Sequence, residues 1–185
     1  MKLTFPFFVA FFVSVLFTQY TYAQPANDAC GAAQALTVEV GTCNSILYTN
    51  LAATTLADPA TPACWLPNSI SHSVWFSFVA TKADIEISTN FGGTLANTQV
   101  AIYSGTCGAL TLLGCQEDIN TAGALFHTDI ILHGLTIGNT YYILVDRNAN
   151  TTGTFGICAQ ESLPVGPVLP TQDCTGSQTL CDLGD

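Results

Sequence analysis

Between residues 35 and 158 the chain is written in short segments rich in Val, Ile, Thr, Phe and Tyr, each closed off by Gly, Asn, Asp, Pro or Ser. Such side chains suit a pleated surface, and turn residues at this spacing mark an all-β domain. The segments fall at 35–40, 45–48, 74–79, 84–88, 99–103, 110–113, 129–132, 141–145 and 153–158, and nowhere does a helical period persist over ten residues. Several alternate strictly. Val74, Phe76 and Phe78 share one face with Trp75 and Ser77 on the other, and Ile85 and Ile87 alternate with Asp84, Glu86 and Ser88. In a strand successive side chains point to opposite faces, so each pattern implies one buried side. About nine antiparallel strands in this length predict a β-sandwich of jelly-roll type, two sheets over one core, with a closed barrel as the alternative.

The first 23 residues stand apart from that pattern. Lys2, an apolar run over 5–17 and the small-residue site Thr21-Tyr22-Ala23 make a secretory signal peptide, too short in its apolar part to span a bilayer. The sandwich domain is then 24–162. Residues 163–170, Leu163-Pro164-Val165-Gly166-Pro167-Val168-Leu169-Pro170, form a Pro-rich, semi-rigid linker, and 171–185 read as the start of a second, incomplete module. No second apolar stretch is long enough to cross a membrane, so the expected location is secreted or at the cell surface.

Export makes the eight cysteines a disulfide framework, and the expectation is that Cys30, Cys43, Cys64, Cys107, Cys115, Cys158, Cys174 and Cys181 are all paired. Spacing suggests two local bridges, Cys107–Cys115 and Cys174–Cys181. A Cys30–Cys158 bridge would tie the ends of the domain, leaving Cys43–Cys64; the sequence itself permits 105 arrangements. Zinc is disfavoured, because no Cys-x2-Cys pair or nearby His offers ligand spacing.

Charge narrows the partners. Three Lys+Arg face 13 Asp+Glu, a formal net charge of −10, and Lys2 leaves with the signal. Nucleic acid requires a basic footprint that this chain lacks. An acidic, cation-poor surface suits a secreted module and divalent cations. If an ion binds, calcium is the one these oxygens suit. In Asp146-Arg147-Asn148-Ala149-Asn150-Thr151, oxygen ligands at Asp146, Asn148 and Asn150 begin like an EF-hand loop, but Thr151 stands where that loop needs Gly and Ile157 where it needs Glu. A hairpin loop whose Asn residues accept left-handed angles is the plainer alternative. Glu117 and Asp118 are the adjacent acidic pair, read as a solvated loop, as calcium ligands or, least of all, as an acid/base pair for glycoside hydrolysis. No Gly-x-Ser-x-Gly is present, and His72, His127 and His133 lack motif context, so no catalytic residue is assigned. Trp65, beside Cys64 in a Pro-rich stretch, is the candidate for surface binding; Trp75 is expected to pack beneath the long 51–71 connection.

An ordered series of motifs carries a family likeness. Pro25-Ala26-Asn27-Asp28-Ala29-Cys30, Ser73-Val74-Trp75-Phe76-Ser77-Phe78, Val100-Ala101-Ile102-Tyr103-Ser104-Gly105-Thr106-Cys107-Gly108, Leu113-Gly114-Cys115, Gly134-Leu135-Thr136-Ile137-Gly138-Asn139-Thr140-Tyr141-Tyr142-Ile143 and Gly153-Thr154-Phe155 succeed one another in that order. Over about 25–160 the chain resembles the β-sandwich module of large secreted and surface proteins of Bacteroidetes, similar in layout to bacterial pre-peptidase C-terminal domains. The resemblance implies a non-catalytic accessory module beside enzymes, adhesive repeats or gliding-associated regions, often in proteins exported by the type IX route. It also implies that the N-terminal segment folds over the sandwich, which makes Asn27 and Asp28 further calcium candidates, with turn bonding as the plainer reading. Where relatives carry Asn-Asp-Asp after the Gly-Cys, this chain has Gln116-Glu117-Asp118. The expected partners are an extracellular protein or glycan and other domains of the same polypeptide. A second reading is an appendage that assists the folding or secretion of a peptidase, and a third is a hydrolase using the acidic loop residues.

Overall fold

A computed structural model describes residues 22–67, 69–119, 125–148 and 151–162. The signal segment up to residue 21, the linker, the 171–185 stretch with Cys174 and Cys181, and Asn150 lie outside the described residues. Among the described residues the chain forms eleven strands: β1 (Gln34–Ala35), β2 (Val38–Glu39), β3 (Leu47–Thr49), β4 (Val74–Val79), β5 (Ile85–Ser88), β6 (Thr98–Thr106), β7 (Ala109–Gln116), β8 (Asp129–Leu132), β9 (Thr140–Arg147), β10 (Thr154–Gly156) and β11 (Cys158–Glu161). Two short 3-10 turns, Cys30–Ala32 and Ala63–Trp65, are the helical elements described.

The strands make a five-stranded sheet in the order β1-β4-β9-β6-β7, a four-stranded sheet β2-β11-β5-β8 and a β10-β3 ribbon. The sheets are open rather than closed into a barrel. Two of the nine expected segments are each divided between sheets. The 35–40 stretch becomes β1 and β2, and 153–158 becomes β10 and β11, so a run that reads as one strand crosses from one layer to another. Both N-terminal pieces pair parallel, β1 with β4 and β2 with β11, which corrects the expectation of purely antiparallel pairing.

Alternation sets the layers. Val74, Phe76 and Phe78 of β4, Val100 and Ile102 of β6 and Tyr141, Ile143 and Val145 of β9 point to the second sheet, where Ile85, Ile87, Leu132 and Ala159 meet them, all buried. Tyr48 and Phe155 of the ribbon close one end, with ring centroids 4.9 Å and 6.0 Å from Phe76. Apolar area removed from water stabilises this core at about 25 cal/mol per Å².

The other face of the large sheet is buried as well. Trp75, Ala101, Tyr103 and Leu144 form a second cluster with Trp65, flanked by Cys30, Ala33, Ile70, Leu110, Cys115 and Tyr142. A cover made from the N-terminal segment and the 50–72 connection lies over them. Trp75 is packed as the alternation and the long connection predict. Trp65 is not a surface residue: it is fully buried, because the Ala63–Trp65 turn sets it into the cluster that holds Trp75 and Leu144.

Disulfides lock the cover in place, and they overturn the expected pairing. Among the described residues the bridges are Cys30–Cys107, Cys43–Cys158 and Cys64–Cys115, with Cα separations of 5.6, 6.0 and 6.2 Å. Cys107 cannot pair with Cys115 because 107 and 108 are the two-residue turn of the β6–β7 hairpin and Cys115 pairs across it with Ala101, far along the strand. Both hairpin cysteines instead reach up to the cover. Cys43–Cys158, in place of Cys30–Cys158 and Cys43–Cys64, ties the β2–β3 connection to β11. Three disulfides place the domain in an oxidising compartment. Among the described residues no helix is long and apolar enough to cross a membrane.

Candidate functional site: polar clusters on the outer face of the large sheet

The cover and sheet meet through carboxylates. Asp146, next to last in β9, is fully buried and accepts the backbone N–H of Ser71 at 2.6 Å and of His72 at 3.1 Å, with the Ser71 hydroxyl at 3.4 Å. Asp28 is buried too, and takes Thr54 N–H at 2.5 Å, Thr54 Oγ1 at 2.7 Å and the Gln24 amide. Asn27 binds β4 in both directions: its Nδ2 donates to Trp75 O at 2.9 Å and its carbonyl accepts from Trp75 N at 2.8 Å. Asp58 receives Trp75 Nε1 at 2.9 Å and the Ser73 hydroxyl. Burial pushes its carboxyl above the usual range, the Ser73 and Trp75 bonds oppose that, and the charges of Asp28 and Asp146 add to it. Burial, followed by the charge of Asp58, pushes the Tyr103 phenol up to about 12. Three acids thus lie within electrostatic reach beneath the cover, their charge met by hydrogen-bond donors of the fold.

A second cluster arises from register. Gln99 of β6 faces Asp146 of β9, and Val100 faces Gln116 of β7. Both ladders end there: Glu117 follows β7 and Asn148 follows β9, while Thr98 N–H turns to Phe126 O and Arg147, opposite Thr98, lies on the inner face. Glu117 and Asn148, expected as ligands from separate motifs, are brought together: Asn148 Nδ2 donates to Glu117 Oε1. Their strands flank β6, so this bond passes over β6 where Asn97 and Gln99 stand. Gln99 is fully buried, and neither its Oε1 nor its Nε2 has a hydrogen-bond partner; Asn97 Oδ1 is likewise buried and unpartnered.

The remaining expectations separate. Asp118 has its Oδ1 buried without a partner, and burial raises its carboxyl pKa. Asp129 on β8 is hydrogen-bonded to Glu86 on β5, and burial, then that bond and the Glu86 charge, raise its pKa to about 6. Gln160 Nε2 donates to the same Glu86 at 2.9 Å. His133 contacts exposed Asp84 at 3.1 Å, while His72 keeps Nδ1 and His127 keeps Nε2 buried and unpartnered. Among the described residues no three His, Cys, Asp or Glu side chains gather in metal-binding geometry. The oxygen-rich site here is built mainly from amides. Asp58, Asn97 and Gln99 escape sequence reasoning. Gln99 alone left a signal, since it opens a strand on the face that Ala101 and Tyr103 bury.

A groove of about 540 Å³ opens at the side where the edge strands β7 and β8 meet, walled by Leu113, Ile130, Leu132, Leu135 and Tyr141.

No family model matches the chain, and no curated protein matches it. Among solved structures the chain is similar to the pre-peptidase C-terminal domain of collagenase from Bacillus anthracis. The TM-score is 0.39 and the identity 11%, with 69% of this chain and 93% of that chain covered. Similarity at that level assigns no function to this chain.

Proposed function

We propose that the chain is a non-catalytic accessory module, a rigid binding or spacer element of a secreted or cell-surface bacterial protein, stabilised by calcium. Its partners in this reading are an extracellular protein or glycan and neighbouring domains of the same polypeptide. The observation that carries the reading is how the buried acids are used. Asp28 and Asp146 hold the cover to the sheet through backbone N–H groups, so their carboxylates serve the architecture. A general acid or base needs a proton-transfer partner within hydrogen-bond reach in an accessible site. Glu117 receives the Asn148 amide. The two-layer burial and three bridges supply the stiffness that a spacer requires.

The test is a panel of peptide, ester and glycoside substrates with the oxidised secreted chain and its Glu117→Gln and Asp118→Asn variants. The expected result is no turnover by any of them. Turnover by the native chain that disappears in either variant, with the circular dichroism spectrum unchanged, overturns the reading in favour of a hydrolase.

A further inference from the structure

Gln99 poses a physical problem. A primary amide has two donor hydrogens and two acceptor lone pairs, and burying it unpaired costs the full desolvation of each group. Here both ends are unpartnered in a fully buried side chain, and Asn97 Oδ1, two residues earlier on the same face, repeats the deficit. Glu117 and Asn148, each one residue past the end of a strand that flanks β6, are joined by a hydrogen bond. Strands lie about 4.8 Å apart, so side chains from β7 and β9 converge over β6 only by leaning inward.

We propose that Asn97, Gln99, Glu117 and Asn148 form a calcium site that staples the ends of β6, β7 and β9 on the outer face of the large sheet. The proposal rests on the calcium-stabilised reading above and gives it a location. Calcium takes six to eight oxygens at flexible geometry, and carboxylate, amide and water oxygens all serve. Glu117 supplies the charge and a carboxylate oxygen. Gln99 Oε1 and Asn97 Oδ1 supply the buried acceptors that lack partners. Rotation of the Asn148 amide about its last bond exchanges Nδ2 for Oδ1 toward the carboxylate side. Waters in the ion's shell provide an acceptor for Gln99 Nε2. Magnesium, which demands near-ideal octahedral geometry and keeps its waters, suits a semi-buried amide set poorly. Arg147 does not oppose the ion, since it alternates to the other face opposite Thr98. Asp146 is a neighbour of the site and not a ligand, its oxygens being held by residues 71 and 72.

The experiment uses the oxidised secreted chain, with calcium affinity read by calorimetry and melting temperature read in calcium, magnesium or chelator at matched ionic strength. Calcium binds the native chain in the micromolar to millimolar range and raises its melting temperature; magnesium does so much less. Gln99→Ala and Glu117→Gln weaken calcium at least about tenfold. Asn97→Asp, which adds charge at constant size, tightens it, an outcome that misfolding cannot produce. Asp129→Asn, on the other sheet, keeps native affinity. If the native chain binds calcium and all three site variants keep its affinity, the location is wrong and the calcium reading stands. If the native chain binds no calcium at millimolar concentration, the site and the calcium reading fall together, while the accessory-module reading stands on the substrate panel.

Discussion

Replacing Asp146 by Ala separates architecture from metal binding. The carboxylate is fully buried and holds two backbone donors, Ser71 N at 2.6 Å and His72 N at 3.1 Å. Truncation leaves both N–H groups without an acceptor, at about 1–3 kcal/mol each for a buried unsatisfied donor. Part of that is returned, because the substitution removes a buried charge and its repulsion with Asp58. The net loss is about 3 kcal/mol, or roughly 10 °C in melting temperature for a domain of this size. Urea unfolding followed by circular dichroism, run in chelator, reads the stability. Amide hydrogen exchange reads the place: protection is lost first at residues 71 and 72. Asp146→Asn keeps the shape and one acceptor oxygen, and loses about half as much. If Asp146→Ala unfolds with the native chain in chelator and differs from it only when calcium is present, the carboxylate is an ion ligand and its architectural role is refuted.

Three further perturbations probe other layers. Gly93 has φ +151° and a Cβ there would collide with the carbonyl of Thr154, which Leu95 N–H also uses, so Gly93→Ala lowers the urea midpoint by an amount equivalent to at least about 2 kcal/mol; an unchanged midpoint would refute the close approach. Replacing Cys30 and Cys107 together by Ala opens a bridge of sequence separation 77 and costs roughly 4 kcal/mol on the chain-entropy account, with the Trp75 fluorescence turning solvent-exposed before the second sheet melts; a single coincident transition at native stability would contradict a separately clamped cover. Asp129 has its pKa raised to about 6 in the fold, so the folded state holds its proton more tightly than the unfolded chain, and stability contributed below the unfolded value near 4 is lost as pH rises toward 6. Asp129→Asn therefore raises the melting temperature at pH 7 and does nothing at pH 3.5; a gain of equal size at both values would remove the Glu86 coupling as its cause.

The strand pattern was legible because alternation is a local signal. Val74, Phe76 and Phe78 announce one buried face, and the structure puts them in the main core. The same strand carries Trp75 opposite them, and the length of the 51–71 connection gave the reason to bury it. Trp65 gave no such reason, because its burial depends on a turn in an aperiodic Pro-rich stretch and on a bridge from Cys64 to a strand 51 residues away. The disulfides show the same limit. Local loops look cheapest to close in sequence, but closure entropy grows slowly with length, so layer geometry decides the partner.

The polar site was half visible. Glu117 and Asn148 stand out as oxygen ligands in their own loops, yet nothing in the sequence says that a β7–β6–β9 register brings them over the same strand. Gln99 and Asn97 carry no charge and match no motif, and they gain meaning from burial without partners. Asp146 ran the other way. Its Asp-x-Asn spacing suggested an open ion loop, whereas the residue ends up inside, bonded to the backbone of the cover.

A large sheet buried on both faces, with its outer cover clamped by long-range bridges, is the arrangement on which the proposed role of the module depends. Proteolysis of the unreduced secreted chain with mass spectrometry of the linked peptides tests it most directly. The expected linkages are Cys30–Cys107, Cys43–Cys158 and Cys64–Cys115. A Cys107–Cys115 peptide, or Cys30 joined to Cys158, would detach the cover from the hairpin and contradict that arrangement.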